Sequence, residues 1–158
     1  MPEPSRIDLP EGYGSFEPFT LANAPSWDDF EPMLEQARNY WLAISGAITP
    51  VVAPVWGIWI DGVFVFSTDP ASHKARALAK NPGCVVHLES GDDVMIVHGI
   101  AERLTEDDAQ SYVEPYQRKY GVVIDPMSPE QVVFRITPLF ALTWLEREFG
   151  ITATRWEF

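Results

Sequence analysis

The chain has almost no sulfur reactivity to offer, few positive charges and no long apolar run. Cys84 is the one cysteine among 158 residues, so no internal disulfide can form. Its neighbours Val85 and Val86 suit a buried thiol that packs as a small hydrophobe. The longest apolar stretch, Pro50 to Ile60, carries two prolines and a glycine and is too short to cross a bilayer as a helix. The first residues, MPEPSRIDLPEG, are polar and proline-rich, without the apolar centre of a signal peptide. These absences predict a soluble protein of a reducing, cytoplasmic compartment. A chain of this length buries roughly two-thirds of its unfolded surface and needs no metal or disulfide staple.

Positive charge is the scarcest resource. Eleven basic residues face 23 acidic ones, a net charge of −12. Such a field repels phosphate backbones and argues against nucleic acid as a partner. It also makes any local cluster of cations informative. Lys74, Arg76 and Lys80 fall within seven positions, while no basic residue lies between Arg38 and Lys74. The cluster reads either as a solvated helix face or as an anion site.

Periodicity sets the organisation. Residues 1–25 hold five prolines and read as an extended arm before one domain over 26–158. Ser26 and Asp29 have capping-box spacing, and Trp27, Phe30, Leu34 and Ala37 recur at helical intervals. Strands are predicted over 40–45 and 49–60, the second bulged or at an edge because Pro50 and Pro54 cannot donate to a ladder. Asp61-Gly62 between apolar runs signals a hairpin into a strand over 63–68. A helix follows from Asp69 or Ser72, with Ala75, Leu78 and Ala79 inward, and ends before Asn81-Pro82. Strands over 85–89 and 94–103 are joined by the turn 90–93. A third helix runs from Thr105 to about Tyr120, and strands over 132–136 and 141–145 close the pattern. Five to seven hairpin-linked strands with short helices predict a mostly β, α+β fold, a small antiparallel barrel rather than a doubly wound sheet.

Phosphate sites combine a helix start with a cation. The segment Phe66-Ser-Thr-Asp-Pro-Ala-Ser-His-Lys-Ala-Arg76 offers both directly after a strand. Ser67 and Thr68 end the strand, Ser72 is either a plain N-cap or a phosphate donor, and Lys74 and Arg76 bring charge. No Gly-rich phosphate loop is present, which argues against a triphosphatase. His73 flanks this segment, exposed or touching a ligand; His73, His87 and His98 lie on three elements with no ligand spacing, so no metal site is predicted. Trp56 and Trp59 face opposite sides of a strand, so only one can line a given pocket. Tyr112, Tyr116 and Tyr120 form one helical stripe for a core or a subunit contact. No Ser-His-Asp or paired-carboxylate arrangement is recognisable.

Several segments together resemble the pyridoxamine 5'-phosphate oxidase-like split barrels, which include flavin- and deazaflavin-dependent oxidoreductases. They are Tyr40-Trp-Leu-Ala43, Ala53-Pro-Val-Trp56, Phe66-Ser-Thr68, Ser72-His-Lys-Ala-Arg-Ala-Leu78, Asn81-Pro82, Val97-His-Gly-Ile-Ala101, Lys119-Tyr120 and Ala153-Thr-Arg-Trp156. The resemblance implies a split antiparallel β-barrel and a homodimer with cofactor sites at the interface. It implies a ring along Pro54, Val55 and Trp56, and a phosphate that meets Ser72, Lys74 and Arg76; Ser67, Thr68 and His73 beside them are candidate cofactor residues from the segment itself. Arg155 and Trp156 are then either edge packing or a lid over the partner's site. Family members that hold FMN tightly often carry another strand arginine, but 40–69 contains no basic residue, which favours the deazaflavin coenzyme F-420 over FMN. The C-terminal arginine motif of vitamin B6 oxidases is replaced by TATRWEF, which argues against B6 synthesis. The resulting expectation is hydride transfer to a small conjugated substrate. The rival readings are a non-catalytic flavin- or haem-binding sensor or store, and a purely interacting domain.

Overall fold

The computed structural model describes residues 1–8, 10, 12 and 24–158. Most of the expected N-terminal arm lies outside these residues. The described part includes β1 (Glu3–Arg6), which pairs antiparallel with the last strand, β9 (Thr154–Glu157).

Local signals account for most elements. Helix α1 (Trp27–Gln36) begins with a full capping box: Ser26 Oγ accepts from the Asp28 N–H at 3.3 Å, and the Asp29 carboxylate accepts from the Ser26 N–H at 3.1 Å. It buries Trp27, Phe30 and Leu34, the expected face. Strands β2 (Tyr40–Ile44) and β3 (Val51–Val55) form a hairpin, and β3 ends the strand order, where Pro54 is harmless. Strands β4 (Gly57–Ile60) and β5 (Val63–Thr68) turn at Asp61-Gly62, whose φ angles of 51° and 73° suit the mirror-image hairpin turn. Helix α2 (His73–Lys80) leads to β6 (Gly83–His87) and β7 (Asp93–Arg103). In α2, Ala75 and Leu78 are buried as expected, but Ala79 is exposed.

Three predicted element bounds also differ from the structure, each for a physical reason. The strand over 49–60 is two strands, because the Gly57 N–H is taken by the hydroxyl of a distant tyrosine, Tyr120. The helix over 105–120 is α3 (Glu106–Gln110) and α4 (Val113–Tyr120). Pro115 has no N–H for the Ser111 carbonyl, so the helical ladder is interrupted one turn earlier. The two last strands are one, β8 (Val132–Leu145), followed by a 3-10 turn (Glu146–Glu148) and α5 (Phe149–Thr152). Pro138 cannot donate to the ladder, and β7 shifts register opposite it at His98/Gly99. Only glycine fits there, since a Cβ on Gly99 would lie 2.6 Å from the Thr137 carbonyl oxygen.

The nine strands among the described residues follow the order β1-β9-β8-β7-β6-β2-β3, with β5 also paired to β8 and β4 to β5. Every pairing is antiparallel. Strands β1, β3 and β4 end the branches of this sheet, and β3 and β4 are joined only by the chain at Trp56, with no ladder between them. The sheet is therefore open, and the fold is α+β. One core joins Trp27, Trp59, Phe64, Phe66 and Trp156; a second, under α3 and α4, includes Ile58, Val65 and Tyr116. Tyr112 and Tyr120 pack against the second, so the tyrosine stripe is core. No helix among the described residues is long and apolar enough to cross a membrane.

Burial pushes the Cys84 thiol from 9.0 up to about 12 and the Tyr116 phenol from 10.0 up to about 12, and raises Tyr40 in the same sense. Each raised group contributes stability that is complete below its unfolded value and lost as pH rises through its folded value. Burial draws Lys119 from 10.5 down to about 8, so it adds stability as pH rises between those values. The net expectation is a falling urea midpoint above about pH 10. A midpoint unchanged from pH 8 to 11 would show these groups to be solvated.

Candidate cofactor site

The helix start expected to hold phosphate is built around hydroxyls. Ser72 Oγ caps α2 by accepting from the Ala75 N–H at 3.2 Å, and Thr68 Oγ1 donates to the same oxygen at 3.2 Å. Both lone pairs are then engaged, which leaves the Ser72 proton free to donate outward. The preceding loop satisfies itself: Asp69 Oδ1 accepts from the Ala71 N–H at 2.6 Å, and the Asp69 carbonyl from the Ser72 N–H at 3.0 Å.

The cations divide between two flanks. Residues two apart on a helix point about 200° apart, so Lys74 and Arg76 cannot converge on one group. Arg76 turns toward a cavity of about 410 Å³ between α2 and the β2–β3 loop, lined by Ser45, Gly46, Ala47, Val51, His73, Arg76, Ala77, Lys80 and Asn81. Lys74 is not part of this lining, and Lys80, which the sequence placed away from the helix start, is. Arg76 Nη1 also donates to the Ala71 carbonyl at 2.6 Å, which orients the guanidinium. Ser67, on β5 opposite Val133, and Thr68 stand on the strand side of the helix. Among the described residues no carboxylate lines the cavity, although the chain carries 23 acidic residues.

The expected ring strand presents two of its three residues outward. Pro54 and Trp56 are exposed, whereas Val55 is 7% exposed and points into the core, leaving only its backbone for a ligand. Trp59, as expected, lies in the opposite, buried layer. Trp56 stacks on Tyr120 with centroids 4.9 Å apart and planes 6° from parallel. The Tyr120 hydroxyl accepts from the Gly57 N–H at 3.0 Å and lies 2.7 and 2.8 Å from the Gly57 and Arg38 carbonyls, to one of which it donates. Burial raises the Tyr120 phenol, opposed by the Gly57 bond and the Arg38 charge. Beside it, Lys119 Nζ donates to the Tyr40 hydroxyl at 2.7 Å and to the Glu35 carbonyl at 3.1 Å. Sequence reasoning passed over Arg38; the only hint was its isolation from other cations.

At the far edge, alternation in β9 separates the last pair. Arg155 faces outward over the Phe140 ring at 3.7 Å, and Phe140 stacks on His98 at 4.2 Å. Burial, and then the Arg155 charge, lower the His98 pKa. Trp156 points inward, 1% exposed, and its Nε1 donates to Thr143 Oγ1 at 2.8 Å. A fully packed indole has no face left for a ligand, which speaks for the packing reading of Trp156.

Comparison with known proteins then fixes the family. A family model described as pyridoxamine 5'-phosphate oxidase matches residues 27–145. The chain belongs to this family. Among solved structures, a conserved hypothetical protein from Mycobacterium tuberculosis aligns with a TM-score of 0.66 and 26% identity, over 80% of this chain and 88% of that one. General stress protein 26 from Bacillus anthracis aligns at 0.60 and 20% identity, over 74% and 92%. An F420 reductase aligns at 0.56 and 22% identity, over 68% and 91%. No curated protein matches the chain. The pyridoxamine 5'-phosphate oxidase family match runs from α1 to the end of β8 and stops short of β9, which carries Arg155 and Trp156.

Proposed function

We propose that this member of the family is an oxidoreductase that binds coenzyme F-420 in preference to FMN and passes hydride to a small conjugated substrate. The observation that carries the reading is the cavity beside α2, where His73, Arg76 and Lys80 meet without a carboxylate in a chain of net charge −12. Unpaired cations on one wall fit an anionic ligand, and the similarity to an F420 reductase supports a deazaflavin. Arg76, Lys80 and His73 would hold the phosphate end, with the Ser72 hydroxyl, Ser67, Thr68 and Lys74 on the opposite flank. Pro54 and the Val55 backbone would bound the ring, with Trp56 at its edge. When bound, the deazaflavin supplies the hydride; the chain supplies position, charge and exclusion of water.

The outward sheet face supports a homodimer. Trp41, Val85, Ile96, Phe140 and Leu142 are half-buried there beside exposed Val52, an apolar face larger than single scattered residues. Arg155, at the edge of that face, would stand near the partner's site. Sedimentation at micromolar concentration is expected to give twice the 17.8 kDa monomer mass; a monomer would remove the proposed interface. Side-by-side fluorescence titrations are expected to show tighter binding of F-420 than of FMN, because 40–69 lacks the additional cation. A clear preference for FMN would overturn the cofactor assignment. Turnover of enones and quinones by reduced cofactor tests the reaction; binding without turnover would make the protein a store or sensor.

A further inference from the structure

We infer that Trp56, Tyr120 and Arg38 form the substrate platform: a planar conjugated ring stacks on the open face of Trp56, and Arg38 takes an anionic substituent at its edge. This deepens the oxidoreductase reading and rests on it.

Three observations converge. Trp56 is 41% exposed, yet its plane is fixed by parallel stacking on Tyr120, which is itself pinned to the backbone of Gly57 and Arg38. An indole held in this way needs little ordering when a flat ligand arrives. Arg38 Cζ lies 5.4 Å from the Trp56 centroid and 5.9 Å from that of Tyr120, while the two rings are 4.9 Å apart. Those near-equal separations put the guanidinium beside the stacked pair, because a cation over the far face of Trp56 would lie much farther from Tyr120. The face of Trp56 turned away from Tyr120 therefore has no aromatic or cationic partner among the described residues. Arg38 also has no carboxylate at ion-pair distance among them, in a chain where acidic residues outnumber basic ones two to one. An electron-rich indole face favours an electron-poor conjugated ring, and an unpaired guanidinium at its edge favours a carboxylate or enolate oxygen.

The test uses the cofactor-free protein with two probes of the same shape, 2-naphthoate and its neutral amide, followed by tryptophan fluorescence. Naphthoate is expected to bind more tightly. Arg38→Met, which keeps the apolar stem, is expected to weaken naphthoate about tenfold and the amide less than about twofold. Arg38→Lys should restore most of the difference, and Trp56→Leu should weaken both probes. Equal losses for the two probes on Arg38→Met, or no binding to the wild-type protein, would overturn the platform. Repeating the titration in saturating F-420 separates two occupants. Retained binding supports a substrate seat, whereas displacement gives the platform to the cofactor's own ring and overturns the substrate assignment. A protein that binds neither F-420 nor FMN yet shows the naphthoate pattern would sink the cofactor reading and keep the platform.

Discussion

Trp156→Ala is expected to lower the stability of the fold by about 3–5 kcal/mol. The side chain is 1% exposed and meets Trp27 edge-on at 5.4 Å and Phe30 at 6.1 Å. Its removal opens a void where α1 crosses the sheet, and the Thr143 hydroxyl, itself fully buried, loses the indole donor. For a domain of this size, that loss lowers Tm by roughly 6–20 °C. Trp156→Phe, which keeps a ring but not the donor, should recover part of it. A thermal scan decides between the two sequence readings of this residue. An unchanged Tm with weakened cofactor binding would restore the lid.

The second large effect concerns affinity. Arg76→Ala combined with Lys80→Ala removes two cations from one cavity wall. A charge-assisted bond to phosphate contributes about 1.5–3 kcal/mol, so the pair should weaken cofactor binding by roughly one to two powers of ten or more at low salt. Both side chains are exposed, which places the expected loss toward the lower end. The background charge of −12 makes either cation harder to replace. Lys74→Ala, on the opposite flank of α2, should cost less, and the Tm of the cofactor-free protein should barely move in any of the three. Isothermal titration at two salt concentrations reads this directly. Equal losses from Lys74 and from the pair would mean a diffuse field with no defined anion cavity.

Where neighbours in sequence decide, the fold was legible. Ser26 with Asp29 caps α1, Asp61-Gly62 makes its turn, and Ser72 caps α2, because each bond closes within a few residues. Pro50 and Pro54 left a bulge or an edge for their strand, and β3 takes the edge. What stayed hidden was imposed from a distance. The break at Trp56 comes from a hydroxyl 63 positions away, and no periodicity in 49–60 announces it. Continuity of β8 through Pro138 depends on a register shift in another strand. The same limit applies to the site. Lys74 and Arg76 looked like partners on a linear count, whereas helical rotation and the approach of Ser45 to Ala47 gather His73, Arg76 and Lys80 instead. Alternation in β9 was readable in principle, but which of Arg155 and Trp156 turned inward required the pairing with β8.

The double pairing of β8 bears on how the chain is made. On one edge it serves β5, through Thr68↔Val132 to Phe64↔Ile136, so β5 has no partner there until residues 132–136 exist. During synthesis at about 5–20 residues per second, that edge waits on the order of several seconds. Phe64, Val65 and Phe66, all buried in the finished fold, lie on the strand whose edge waits. A short, apolar, β-prone segment with an open edge is what chaperones recognise and what aggregates when they are limiting. Slower translation between Thr68 and Val132 is therefore expected to lower soluble yield while leaving the stability of the native state unchanged.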